Sequence, residues 1–278
     1  MTHAADFLLH AEAPPDDVAV ALRVSTAARG RFGEPAIFLA QTASTNDVAA
    51  ALAERGAAEG TMVLAQAQTA GRGRLGREWV SPPGAGLYLS LVIRDIRAIP
   101  LLTLAAGVAV ADGVRDATGL PAALKWPNDV VVGAPGAPGG QRKLAGVLAE
   151  GSTSGGVLQY AILGIGVNVR PAAYPPAIAD RASCLERELG RPVDAGPVLA
   201  AMLVALNRQM LRLAGGAAGD VLARWRELAP SAQGCRVEWT TEGGSRQGIT
   251  AGIDAAGALL VSTPGGLHRI VSGELRWR

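Results

Sequence analysis

A run of nine residues, Gly71-Arg72-Gly73-Arg74-Leu75-Gly76-Arg77-Glu78-Trp79, constrains this chain more than any other, because three glycines interleaved with three arginines cannot hold a helix. Glycine opens left-handed and close-approach conformations that other residues avoid, and each guanidinium presents a planar fork of donors suited to phosphate or carboxylate. The run therefore predicts a loop built to close over an anion, and a ligand carrying both phosphate and carboxylate would suit it. The same residues fit the three-glycine dinucleotide-binding pattern, follow a plausible strand over Thr61 to Gln68, and have an acid, Asp95, at about the expected distance. The next segment, Glu78 to Gly86 with Pro82 and Pro83 inside it, argues against that reading: it cannot form the helix whose amino end would hold a pyrophosphate. A solvated arginine-rich turn or a nucleic-acid contact is the other alternative, and a formal net charge of +2 gives little support for a broad basic surface.

A length of 278 residues suits a principal domain with a smaller appendage. Cys184 and Cys235 sit in no paired-ligand or redox spacing, which argues for a reducing interior and against a disulfide framework. His3, His10 and His268 are equally scattered, so neither a zinc site nor a serine-type triad is supported. The amino terminus lacks a basic start and a sustained apolar stretch, and the apolar run Leu101 to Ala111 is about half a membrane span. A soluble cytoplasmic protein that binds no membrane is expected.

Along the chain, residues 1–37 are mixed in character, with a weak helical stretch over Val18 to Ala28, and read as an extension that packs loosely. From Ala36 a short strand leads to Ser44-Thr45-Asn46-Asp47, which precedes Val48, Ala49 and Leu52 with Gly56 beyond, the pattern of a capped helix. Leu87 to Ile93 alternates as a strand, and Pro100 opens a long apolar helix ending near Gly119. Val130 to Val132, Lys143 to Glu150 and Val157 to Val169 read as strands, with a Gly/Pro linker over Gly133 to Gly140 between the first two. Pro197 to Leu213 carries Leu199, Met202, Leu203, Leu206, Met210 and Leu213 at helical spacing, and a second helix runs to about Leu228. After Pro230 the texture changes to short strands with glycine turns, which suggests a small barrel. The class is α+β: a mixed, largely antiparallel sheet of neighbouring hairpins with helices gathered on one side. The expected units are residues 1–37, 38–230 and 231–278.

Four further segments bear on the loop. The strand period of two puts Gly164, Gly166 and Asn168 on one face, a bare patch on which a flat ring can lie, unless the glycines mark a bulge or close strand packing. In Lys125-Trp126-Pro127-Asn128-Asp129 the proline extends Trp126 while Asn128 and Asp129 favour a turn, so Lys125 and Asp129 can converge on one pocket or form an ordinary surface pair. Lys143 begins an otherwise nearly apolar strand, as a buried cation or as a solvated strand end. Ser44, Thr45 and Asn46 are helix caps or donors that hold a polar ligand at a helix start.

Taken together, Ser44-Thr45-Asn46, Gln68 ahead of GRGRLGREW, Ser81-Pro82 followed by GLYLS at 86–90, KWPND at 125–129, KLAG at 143–146 and GIGVN at 164–168 closely resemble the biotin protein ligase family in order and spacing. The resemblance covers residues 38–278, because the last part also looks like that family's small SH3-like domain, down to Gly273-Glu274-Leu275. It implies a class II aminoacyl-tRNA-synthetase-like catalytic domain and a two-step reaction. Biotin and ATP give biotinyl-5′-adenylate and pyrophosphate, and a lysine of a biotin carboxyl carrier protein, in acetyl-CoA carboxylase or another biotin-dependent carboxylase, then takes the biotinyl group.

By the same resemblance, biotin is held by Ser44, Thr45, Asn46, Gln68, Gly71, Arg72, Gly73, Arg74, Lys143, Gly146, Gly164 and Gly166, with Ser44, Thr45 and Gln68 at its ureido and thiophane end. Nucleotide binding falls to Arg72, Arg74, Arg77, Trp79, Lys125, Asn128, Lys143 and Asn168. Trp79 stacks near the adenine, Asn168 hydrogen-bonds it, and Arg74, Lys143 and Asp129 are the catalytic set. Mg²⁺ rides on the phosphates, with Asp129 as its protein contact or as proton acceptor in the second step. Two departures stand out. Residues 1–37 are too few for the DNA-binding winged helix of the family's bifunctional members, so no operator binding is expected, and the Gly/Pro insertion ahead of Lys143 is longer than the resemblance implies. A lipoate-type acyl ligase of the same fold and a non-catalytic protein that holds a nucleotide or adenylate are the competing readings. Monomers and sheet-edge dimers both occur in the family; the expectation leans to a dimer, with Val130 to Val132 as a pairing edge.

Overall fold

A computed structural model describes residues 11–134, 140–241, 244–273 and 275–277. Most of the Gly/Pro linker and Glu274 of the carboxy-terminal motif lie outside the described residues. The elements in chain order are β1 (Ala11–Glu12), α1 (Asp16–Val24), α2 (Thr26–Arg29), β2 (Ala36–Thr42), α3 (Thr45–Glu54), β3 (Met62–Gln68), β4 (Gly86–Ile93), α4 (Leu102–Thr118), β5 (Ala123–Lys125), β6 (Asp129–Val132), β7 (Arg142–Ser154) and β8 (Val157–Asn168). They continue with α5 (Pro176–Ala179), α6 (Leu185–Leu189), α7 (Ala195–Ala214), α8 (Ala218–Leu228), β9 (Gln233–Thr241), β10 (Gly244–Ile253), β11 (Leu259–Thr263), β12 (Gly266–Ile270) and β13 (Leu275–Trp277).

Eight strands form the main sheet in the order β1-β2-β3-β4-β8-β7-β6-β5. Only β2 and β3 run parallel, since α3 crosses between them, and the other pairs are antiparallel. The central strand β4 shows how the layers arise. Leu87, Leu89, Leu91 and Ile93 enter a large core with α4, α7 and α8, while Val92 joins Val48, Ala49 and Leu52 of α3 in a smaller one. Helices therefore cover both faces, which corrects the expectation that they gather on one side: the apolar stripe of α3 needs a sheet face of its own. Helix α4 lies so close to α7 that a Cβ on Gly113 would stand 2.6 Å from the Met202 backbone, and α4 ends where Gly119 takes φ 78°.

For residues 11–37, the described part of the amino-terminal extension, the expected loose packing is also corrected. Val18, Ala21, Leu22 and Phe32 are buried, Ala11 pairs with Leu39, and the Asp17 carboxylate accepts the Gly196 N–H at 2.8 Å at the start of α7. Phe32→Ala is expected to destabilise the whole chain by about 3–5 kcal/mol in urea unfolding, whereas a loosely packed extension would show almost no change.

Strands β9 to β13 form an antiparallel sheet in the order β12-β11-β10-β9-β13, and β13 is an element the sequence reading did not anticipate. This small unit is fastened to the main one, with Trp126 Nε1 donating to the Gly257 carbonyl at 3.1 Å. Strand β6 lies between β5 and β7, so Val130 to Val132 present no free edge, and a pairing edge must be sought elsewhere.

Candidate active site

One cavity of about 330 Å³ opens on the face of the main sheet that carries Gly164 and Gly166, and it collects the segments singled out in the sequence. The start of α3, the end of β3, the Arg72–Val80 loop, the β5–β6 turn, Lys143 and β8 all reach it, as do Gly273, Leu275 and Trp277 at the carboxy-terminal end. Six cationic side chains line it against two carboxylates, a balance that favours a polyanionic ligand.

The loop is an ordered hairpin. Gly73 N–H bonds the Arg77 carbonyl at 2.7 Å, Trp79 N–H bonds that of Gly71 at 2.8 Å, and Leu75 takes φ 57° at the tip, an unusual conformation for a branched side chain. The hairpin lays Trp79 across the glycine patch. A Cβ on Gly166 would clash with the indole, and one on Gly146 would stand 3.0 Å from it. The bare surface does accept a flat ring, and the ring in place is the protein's own. Trp79 Nε1 is buried without a hydrogen-bond partner among the described residues, which fits a provisional occupant better than a permanent one.

The floor beside the patch is a hydrogen-bonded chain. Ser44 occupies the cap position of α3, yet its side chain makes no capping bond, and it lines the cavity. Gln68 Oε1 accepts from Thr45 N–H at 2.8 Å and lies 3.0 Å from Thr45 Oγ1, while its Nε2 donates to Ser81 at 2.9 Å. A side chain on Gly71 would strike Ser81 at 2.8 Å, so glycine is required there. Ser90 Oγ, 0 % exposed, contacts Thr45 Oγ1 at 2.8 Å and Asn46 Oδ1 at 2.5 Å.

Each cation has a definite environment. Arg72 reaches Asp47 at 2.5 Å and Glu150 at 3.1 Å. Lys143 Nζ lies 2.5 Å from Asp129 and 5.1 Å from the centre of the Trp79 ring. Lys125 stands opposite Asp129 across the β5–β6 hairpin, whose turn contains a cis bond before Pro127, and sits over Trp277 at 5.3 Å. Burial lowers the Lys125 ammonium from its ordinary value while Asp129 opposes the shift, and burial likewise lowers Arg74, which stays protonated. Two amides are anchored through their nitrogens, Asn128 Nδ2 donating to the Val147 carbonyl at 2.7 Å and Asn168 Nδ2 to that of Ser183 at 2.9 Å, while both residues line the cavity.

Sequence reasoning passed over Gln141, Tyr174, Arg181 and Trp277, which complete the wall. Arg181 and Ser183 bracket Lys143 through backbone bonds of 2.7 and 2.9 Å, a strand-like pairing without a strand pattern in the sequence. Burial pushes the Tyr174 phenol up to about 12, which keeps it neutral.

Residues 38–168 match the biotin/lipoate A/B protein ligase family, and residues 234–275 match the biotin protein ligase C-terminal domain. The chain is 37 % identical over 251 residues to the biotin--[acetyl-CoA-carboxylase] ligase of Paracoccus denitrificans, covering 85 % of this chain and 98 % of that protein. This chain belongs to the biotin protein ligase family. The bifunctional ligase/repressor BirA of Bacillus subtilis is 32 % identical over 88 % of this chain and 74 % of its own length. Among solved structures, the biotin protein ligase of Aquifex aeolicus in complex with biotin and ATP superposes with a TM-score of 0.74 at 31 % identity, covering 87 % of this chain and 98 % of that one. The two family matches fall one on the main sheet and one on the small sheet, and the cavity of this biotin protein ligase draws walls from both.

Proposed function

We propose that the protein is an ATP-dependent biotin protein ligase that activates biotin as biotinyl-5′-AMP and transfers it to a lysine of a biotin carboxyl carrier protein. The observation that supports this most directly is one cavity in which a ring-sized glycine patch and a hydrogen-bonding floor adjoin a cluster of cations. Residues 38–230 are assigned as the catalytic unit and 231–278 as a smaller unit whose end closes the cavity, with residues 11–37 integral to the fold.

In the first step the carboxylate of biotin attacks the α-phosphorus of ATP and pyrophosphate leaves. A carboxylic acid of pKa near ~4 is already ionised at neutral pH, so no base is needed. The requirement is relief of the repulsion between carboxylate and triphosphate, with neutralisation of the leaving pyrophosphate. Lys143 lies where the two anions meet, and Arg72, Arg74 and Arg77 close from the hairpin above. Ser44, Thr45, Asn46 and Gln68 hold the ring end, while Lys125, Asn128 and Asn168 shape the phosphate and adenine side. Trp79 must leave the glycine patch and becomes a face for adenine to stack on.

No group of three or more His, Cys, Asp or Glu suited to a metal occurs among the described residues, and Asp129 and Glu78 are the cavity's carboxylates. Magnesium carried chiefly by the substrate phosphates would take Asp129 as its protein ligand and would supply further charge neutralisation. In the second step the carrier amine loses a proton and attacks the acyl carbon, and AMP leaves. Asp129, once Lys143 has turned to the ligand, is the carboxylate in reach of that proton. No helix among the described residues is long and apolar enough to cross a membrane.

The test is exchange of labelled pyrophosphate into ATP with biotin, lipoate and octanoate offered in parallel. Exchange with biotin alone is expected; exchange with lipoate or octanoate instead would overturn the assignment, and tight adenylate binding without transfer to any carrier would favour a non-catalytic role. Arg74→Gly is expected to loosen the hairpin and release the adenylate, so that bystander lysines become biotinylated at about ten times the background. Unchanged retention of the intermediate would remove Arg74 from the closing role.

A further inference from the structure

We infer that Glu150, which does not line the cavity, is a positioning residue that sets the donor and acceptor directions of the ring-binding floor and ties the hairpin to it. The inference rests on the ligase reading above. Glu150 stands on β7 across from Ile162 of β8, two residues along the strands from the Leu148–Gly164 pair at the edge of the glycine patch, and its Oε2 is shared by two donors. One is Asn46 Nδ2, 104 residues away in sequence; the other is Arg72 Nη2 at 3.1 Å, while Nη1 of the same guanidinium donates to Asp47.

Proton counting shows why the carboxylate matters. An amide can be flipped unless its neighbours discriminate oxygen from nitrogen. A carboxylate only accepts, so Glu150 fixes the Asn46 nitrogen toward itself and the oxygen toward Ser90 and Gly164. Ser90 must then direct its single proton to Asn46 Oδ1 at 2.5 Å, and the Thr45 hydroxyl is left to donate to Ser90 Oγ at 2.8 Å. Gln68 Oε1 therefore relies on the Thr45 N–H, and the Thr45 oxygen keeps a lone pair for a ligand donor. One negative charge behind the cavity thus orients three side chains in series, Asn46, Ser90 and Thr45, beside a Gln68 amide held by the Thr45 N–H and Ser81. Removing the charge while keeping the shape lets the Asn46 amide turn and the series reverse, presenting donors where a ligand also donates.

Glu150→Gln is the decisive variant because it preserves size and one acceptor, and Glu150→Asp is the control that keeps the charge. The Kd for biotin by calorimetry, the KM and kcat of biotin-dependent pyrophosphate exchange, and the thermal midpoint are measured on the full chain. Glu150→Gln is expected to raise Kd and KM for biotin about tenfold, with kcat at saturating biotin within threefold and the midpoint within about 2 °C, and Glu150→Asp to recover part of the affinity. Unchanged Kd and KM in Glu150→Gln, or a fall in midpoint with no change in Kd, would overturn the inference. If the unsubstituted protein neither binds biotin nor exchanges pyrophosphate, the ligase reading fails instead, and the two failures are told apart by that control.

Discussion

Replacing Lys143 with alanine is expected to lower biotin-dependent pyrophosphate exchange by about a thousandfold, equivalent to roughly 4 kcal/mol of transition-state stabilisation. The reacting carboxylate and the α-phosphate are both anions, and in the proposed reaction the ammonium beside Asp129 and the Trp79 ring is the compact positive charge that bridges them. The hairpin arginines cannot replace it readily: Arg72 is engaged by Asp47 and Glu150, and the planar guanidinium of Arg74 is a broader, more diffuse charge than an ammonium. The Lys143–Asp129 pair is about one third exposed at both ends, so its loss should change folding stability by less than about 1 kcal/mol. Exchange kinetics together with urea unfolding of the same preparation check both halves of the expectation. A variant that exchanges within threefold of the unsubstituted protein would show that Lys143 does not bridge the two anions.

Gly166→Val should weaken biotin binding by at least about a hundredfold while leaving the sheet folded. Valine favours a strand, but any Cβ at this position projects into the space now filled by the Trp79 indole, which a bound ligand must share or take over. The variant separates two accounts of the patch. If the glycines served only close packing of the two layers, the substitution would unfold the protein; if they form a seat, the thermal midpoint holds and affinity is lost. Calorimetric titration with biotin, paired with Trp79 emission as the ligand displaces the indole in the unsubstituted protein, gives the reading. Tight binding by Gly166→Val would place the ring elsewhere.

Much of the fold was legible because its signals are local. The alternation of Leu87 to Ile93, the Ser44 start of α3, the apolar run of α4 and its Gly119 stop, and the helical spacing of α7 each express the preferences of a few adjacent residues, and the structure forms these elements within one to three residues of the expected limits. Elements with weak local patterns were missed or misjudged. The three-residue β5 and β13 carry too few positions to show a period, and the buried faces of α1 and Phe32 are visible only once α7 is beside them.

For the site, the sequence by itself determined the chemistry available: a glycine-rich cationic loop, a bare glycine face, polar residues at a helix start, Lys125 and Asp129 on one short turn, and Lys143 as a lone cation at a strand end. Their order along the chain was enough to indicate the family. Only the tertiary structure decided which group holds which. That the indole of Trp79 rests on Gly166, that Glu150 behind the floor binds both Asn46 and Arg72, and that the Asn128 and Asn168 amides turn to backbone carbonyls all depend on strand order and register. Those pairings join residues as many as 104 positions apart, and they follow from the way β4, β8 and β7 stack side by side to bury their apolar rows, a global choice that no short window of sequence contains.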